Sequence, residues 1–109
     1  MFMVGRTNNT VYEYALTTGF DLSTASYTSN SFSVSQETST RGMQFNSDGT
    51  RMITVGINND TVYQYNLSTG FDITTASYSS LSFSVASQAT VPLGITGNPD
   101  LSKFYIIEN

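Results

Sequence analysis

The residues able to do chemistry are few. The chain has no histidine and no cysteine. Ser-His-Asp and Cys-His nucleophile systems are therefore excluded. So are the usual zinc and copper sites, which depend on imidazole or thiolate. What remains is eight carboxylates, seven tyrosines and four basic residues, Arg6, Arg41, Arg51 and Lys103. Asp21 and Asp72 share the context Gly-Phe-Asp, and Asp48 and Asp100 each lie two residues after an asparagine. A carboxylate that recurs in a fixed context reads as a turn or cap. A glycosidase centre needs two convergent carboxyls. Glu37 is one carboxylate that a symmetric ring would gather near its axis, and nothing beside it supports an acid–base pair. Asn58-Asn59-Asp60 and Asn46-Ser47-Asp48-Gly49 offer hard oxygen ligands, but fewer than the six or more that calcium takes. Both read as turns. No glycine-rich phosphate cradle is present. No catalytic residue, metal or cofactor is expected.

Charge narrows the partners. Charged residues make up 11% of the chain and the net charge is −4. Binding a phosphate backbone needs clustered Lys and Arg, and the four basic residues are scattered. Neither nucleic acid nor an anionic membrane is an expected partner. No apolar run reaches the roughly 20 residues of a spanning helix. Met1-Phe2-Met3-Val4 lacks the basic start and apolar core of a signal peptide.

The elements that position these residues repeat. Val4–Val34 aligns with Val55–Val85, and about two-thirds of the positions are identical. Beyond Val85 the second copy gains one residue, so 41–56 aligns with 93–108. An internal period near fifty residues signals units that cannot bury their apolar faces alone and must stack. Ser and Thr are roughly 30% of the chain, above ordinary usage. They alternate with Val, Tyr and Phe, which is strand composition with solvent-facing hydroxyls.

Alternation and turn chemistry predict four strands per repeat. In the second copy they are 42–45, 51–55, 61–67 and 81–85, with turns at 46–50 and 56–60 and a long connection from Ser68 to Ser80. Asp48-Gly49 supplies the positive φ of a hairpin turn. Within 61–67, Tyr63, Tyr65 and Leu67 share the face expected to be buried. Over the whole chain the count is nine strands: inner 42–45 and 94–97; second 1–5, 52–56 and 103–107; third 11–16 and 62–67; outer 31–35 and 81–86. Short turns are expected in the Gly19–Tyr27 and Gly70–Tyr78 loops.

Gly42–Leu67 resembles the YVTN-type and related WD40-like β-propeller repeats. Gly42, Phe45, Asp48, Gly49, Val55, Val62 and Tyr65 carry the likeness, with Gly94, Pro99, Asp100, Tyr105 and Ile106 in the last copy. The Gly-Phe-Asp-Leu-Ser-Thr-Ala-Ser-Tyr segment is similar to tandem repeats of marine phage and environmental bacterial proteins. No Gly-His or Trp-Asp pair is present, so the hydrogen-bond network of true WD40 blades is absent. The resemblance implies an all-β fold with two four-stranded antiparallel propeller blades per chain. These would assemble into a closed β-propeller, with six blades favoured and eight the alternative.

The strand count divides the chain into a partial blade at 1–41, a complete blade at 42–92 and the start of a third at 93–109. The third would complete a neighbouring chain's partial blade. The expectation is a cyclic homo-oligomer, three chains favoured, joined head to tail. Met1–Gly5 and Lys103–Ile107 occupy the same repeat position, so one of them is redundant at each junction. The expected function is a non-enzymatic binding or structural module for protein or glycan. Its ligand face would combine the inter-blade loops with the turns between second and third strands. Arg41, Asn8, Asn9, Asn59 and Asp60 are the candidate contacts. The alternatives are a lactonase- or glycosidase-like propeller enzyme, or a propeller fragment with no role beyond assembly.

Overall fold

The computed structural model describes all residues from Met1 to Asn109. Nine strands and two single-turn 3-10 segments make up the fold, and there is no α-helix. The strands are β1 Phe2–Gly5, β2 Thr10–Leu16, β3 Ala25–Ser33, β4 Thr40–Phe45, β5 Arg51–Gly56, β6 Thr61–Leu67, β7 Ala76–Ser84, β8 Pro92–Gly97 and β9 Phe104–Glu108. They form three antiparallel sheets in the orders β1-β2-β3, β4-β5-β6-β7 and β8-β9. The sheets stack in chain order. The stack is open-ended, 42 × 25 × 23 Å, and no ring closes within the chain.

The turns follow from local chemistry. Gly49 takes φ +71° in the β4–β5 turn. Beside it the Asp48 carboxylate accepts from the Thr50 amide at 2.9 Å, and Asn46 Oδ1 accepts from the Arg51 amide at 2.9 Å. The β8–β9 turn repeats these bonds with Asp100 and Asn98. There Leu101 holds the left-handed conformation at φ 55°. Asn9 and Asp60 adopt φ 47° and 46° in the β1–β2 and β5–β6 turns. Their carbonyls accept from the Val34 and Val85 amides and so fasten the end of each outer strand.

The outer strands differ from the expected 31–35 and 81–86. They begin at Ala25 and Ala76 and run nine residues each. Asp21 and Asp72 shorten the connection by capping the 3-10 segments Leu22–Thr24 and Ile73–Thr75. Each carboxylate accepts from the amide two residues on, at 3.0 and 3.1 Å. Each outer strand is then irregular. The register jumps between Tyr12 and Tyr14 and between Tyr63 and Tyr65. Opposite these points Ser29 and Ser80 adopt φ 68° and 62°. A bulge of this kind breaks strict alternation, which hides the first half of the strand from a period-two reading.

Burial also departs from expectation on β6. Tyr65 and Leu67 are in the core, but so is Val62 on the opposite face. The cause is that the second sheet is covered on both sides. One core lies between the first and second sheets and contains Val11, Val34, Met52, Tyr65, Leu67 and Ile73. The other lies between the second and third sheets and contains Ile53, Val55, Val62, Val85, Ala89 and Ile95. The inner strands β4 and β8 approach closely. A Cβ on Gly42 would stand 2.9 Å from the Ile95 amide nitrogen, so only glycine fits there.

Ile73 and Leu22 hold the same repeat position, yet Ile73 is fully buried and Leu22 is 69% exposed. Ile73→Ala should cost about 2–5 kcal/mol of stability through the cavity it leaves. Leu22→Ala should stay within about 0.5 kcal/mol. Urea unfolding of the dilute protein checks the contrast.

Candidate functional site

The five candidate contact residues gather at one end of the stack, around the 35–40 segment that joins the first two sheets. Asn9 Oδ1 accepts from the Thr40 amide at 3.2 Å. The Asn59 side chain donates to the Gln36 carbonyl at 2.9 Å and to the Tyr63 hydroxyl at 3.1 Å. Asn8 donates to the Tyr12 hydroxyl, the same bond one repeat earlier. Asp60 is half-buried, with Oδ1 enclosed and unpartnered. Arg41 is half-buried beside the irregularity between Thr40 and Gly42, and its Nε is enclosed without an acceptor. Thus Asn8, Asn9 and Asn59 are committed to holding turns and strands together. Arg41 retains a donor with nothing to bind.

Glu37 organises this end and does not line an axial channel. It is fully buried. Its Oε1 accepts from the amides of Ser39 at 2.9 Å and Asn58 at 3.3 Å, and Oε2 from the amide of Asn59 at 3.3 Å. One side chain thereby ties the inter-sheet segment to the β5–β6 turn. The adjoining strand residue must be small: a Cβ on Gly56 would lie 2.4 Å from Glu37 Cγ. The third sheet reverses this pair. Ala89 stands where Glu37 stands, and Glu108 stands where Gly56 stands. The carboxylate now comes from the strand, and Glu108 Oε1 accepts from the Thr90 amide at 2.8 Å. Next to Glu37, Gln36 Oε1 accepts from the Tyr65 hydroxyl at 2.8 Å. Burial pushes the Tyr65 phenol well above its ordinary range.

Glu13 on β2 accepts from the Asn30 side chain across to β3, and the four remaining aspartates serve turns. Thr50 donates through its hydroxyl and its amide to Asp48, and Ser102 through its amide and hydroxyl to Asp100. These bonds hold both carboxyls below the ordinary carboxylate value of 3.8. Nowhere do three carboxylates converge as metal ligands would.

Away from the loops lie two apolar surfaces. One is a cleft of about 190 Å³ beside β7, lined by Ile53, Val62, Leu81, Phe83, Leu101 and Phe104. Leu81 and Phe83 are 58% and 63% exposed. The other is a shelf on the first sheet, formed by Met1, Tyr14, Leu16, Phe20 and Leu22. Neither surface appears among the candidate contacts read from the sequence. The signal was present, because the partners of Phe83 and Leu22 one repeat away, Phe32 and Ile73, belong to a packed core.

No protein family matches the chain, and neither a curated protein nor a solved structure matches it significantly.

Glu37→Gln puts an amide donor against amide donors, so it should cost about 1–3 kcal/mol, measured by urea unfolding. Asp48 and Asp100 give a pH prediction. Their folded pKa values lie below the unfolded value, so their contribution is complete above about 3.8 and is lost as pH falls through the folded values. An Asp48→Asn/Asp100→Asn variant should therefore show a flatter acid limb in a plot of stability against pH.

Proposed function

We propose that this chain is a non-enzymatic structural and binding module, a segment of a β-propeller that associates head to tail with its own copies and presents its loop end to a protein or glycan ligand. One observation carries the reading. Side chains at equivalent repeat positions are buried where the next sheet is present and exposed where it is not. Met52 and Ile73 are fully buried, whereas Met1 and Leu22 are 50% and 69% exposed. Val55 is fully buried, whereas Ile107 is 61% exposed. The uncovered face of the first sheet therefore carries Met1, Tyr14, Leu16 and Leu22 where the packed face of the second carries Met52, Tyr65, Leu67 and Ile73. On the third sheet Tyr105 and Ile107 stand where Ile53 and Val55 are buried. Exposed apolar patches of this kind mark association surfaces, and a heterologous contact that repeats closes into a ring where the rotation permits. Three chains would supply six blades.

Enzymatic readings find little support in the side chains. Asp21, Asp48, Asp72 and Asp100 accept from turn amides. Glu37 and Glu108 accept from loop amides. At the loop end the enclosed Arg41 Nε is a donor whose unmet bond is costly.

Light scattering should return three times the mass of one chain, or four times for an eight-bladed ring. A mass equal to one chain at concentrations of hundreds of micromolar would overturn the association.

A further inference from the structure

Resting on that head-to-tail reading, we propose that β9 is the strand that completes each junction. It takes the place of β1 in the neighbouring chain's first sheet, and β1 is displaced. The composite blade is then β8-β9 of one chain followed by β2-β3 of the next.

β1, β5 and β9 occupy one repeat position, so a junction has room for only one of β1 and β9. Phe2, Ile53 and Tyr105 are equivalent, as are Val4, Val55 and Ile107. The first two members of each set work as core residues. Ile53 and Val55 are buried, and Phe2 and Val4 pack against the first core, Phe2 with its ring centroid 4.7 Å from that of Phe45. Tyr105 and Ile107 are apolar in the same way yet 59% and 61% exposed. If β9 replaces β1, Tyr105 and Ile107 take the seats of Phe2 and Val4 against the neighbour's second sheet. If β1 stays, they remain in water.

The polar end of the strand gives an independent reason. The loop before β8 carries Ala89 and relies on Glu108 of β9 for the carboxylate that receives the Thr90 amide. β1 has Gly5 at the position of Glu108. A β8–β1 pairing would set Gly5 against Ala89, with no carboxylate from either side, and the exposed Thr90 amide would be left to water. The loop and inner strand of the third sheet thus fit β9 and not β1.

The free edge of β9 then receives β2. The β5–β6 register places Met52 opposite Tyr65 and Arg51 opposite Asn66. Transferred by one repeat, it sets Phe104 opposite Tyr14 and Lys103 opposite Ala15. Tyr14 enters the cleft beside Phe83, as Tyr65 meets Phe32 edge-on at 5.6 Å. Its hydroxyl reaches Gln88, which holds the place of Gln36.

The test uses full chains. Ala15→Cys and Lys103→Cys in one chain, which has no other cysteine, should give a reducible ladder of cross-linked multimers on oxidation. Two single variants decide which strand yields, and both sites are exposed in the single chain, so both variants should fold and, diluted to single chains, melt as wild type does at the same dilution. Ile107→Lys should weaken association about tenfold or more, as expected for a central apolar contact. Met3→Lys, at 50% exposure on β1, should leave association unchanged. Assembly with no ladder, or with Met3→Lys disruptive and Ile107→Lys silent, overturns the exchange and leaves the head-to-tail association standing. A wild-type mass of one chain overturns both.

Discussion

Tyr65 meets Phe32 across the gap between the first two sheets, ring centroids 5.6 Å apart and nearly perpendicular. That contact shows the constraint under which the whole chain folds. Each full sheet is apolar on both faces, and a twisted antiparallel sheet with two apolar faces must be covered twice. The second sheet comes nearest to this requirement, with a core on either side, and only Leu81 and Phe83 of β7 stay exposed where the two-stranded third sheet ends. The first and third sheets meet it on one side only. Their exposed Met, Phe, Leu, Tyr and Ile side chains stand at positions that are core residues one repeat away. Exposure here comes from missing neighbours and not from the residues themselves.

The polar interactions then decide how the stacked sheets are joined. Hydrophobic contact between sheets is non-directional, so it sets neither the path of the connecting loop nor the twist between sheets. Glu37 supplies direction. By gathering the Ser39, Asn58 and Asn59 amides it fixes the loop leading into β4 against the β5–β6 turn. In the third sheet Ala89 removes that carboxylate, and at the exposed rim Glu108 supplies one to the Thr90 amide from the strand instead. The two solutions are mutually exclusive in space, because a side chain on Gly56 would collide with Glu37.

Much of this was legible in the sequence, and the failures have physical causes. Nine strands, the Asp48-Gly49 turn and the capping role of Asp21 and Asp72 follow from alternation and turn chemistry. The first halves of β3 and β7 did not show, because a bulge at Tyr12–Tyr14 and Tyr63–Tyr65 disturbs the period of two. The burial of Val62 did not show because alternation assigns one buried face per strand, and a sheet between two others has two. The role of Glu37 does not show because a lone carboxylate carries no mark of burial. Only the coincidence of Glu37 with Gly56, and of Ala89 with Glu108, reveals its role, and that pairing spans a loop and a strand some twenty residues apart.

The same facts separate the apolar sheet faces from the loop end. At the loop end the asparagine amides bind tyrosine hydroxyls and backbone carbonyls, so displacing them for a ligand would break bonds that hold the hairpins. Net gain from such an exchange is small, since one hydrogen bond replaces another. At the sheet faces nothing need be broken. Burying Phe83, Leu22 or Ile107 would contribute about 0.8 kcal/mol for each methylene removed from water. Burial at the sheet faces would therefore contribute more than an exchange of hydrogen bonds at the loop end.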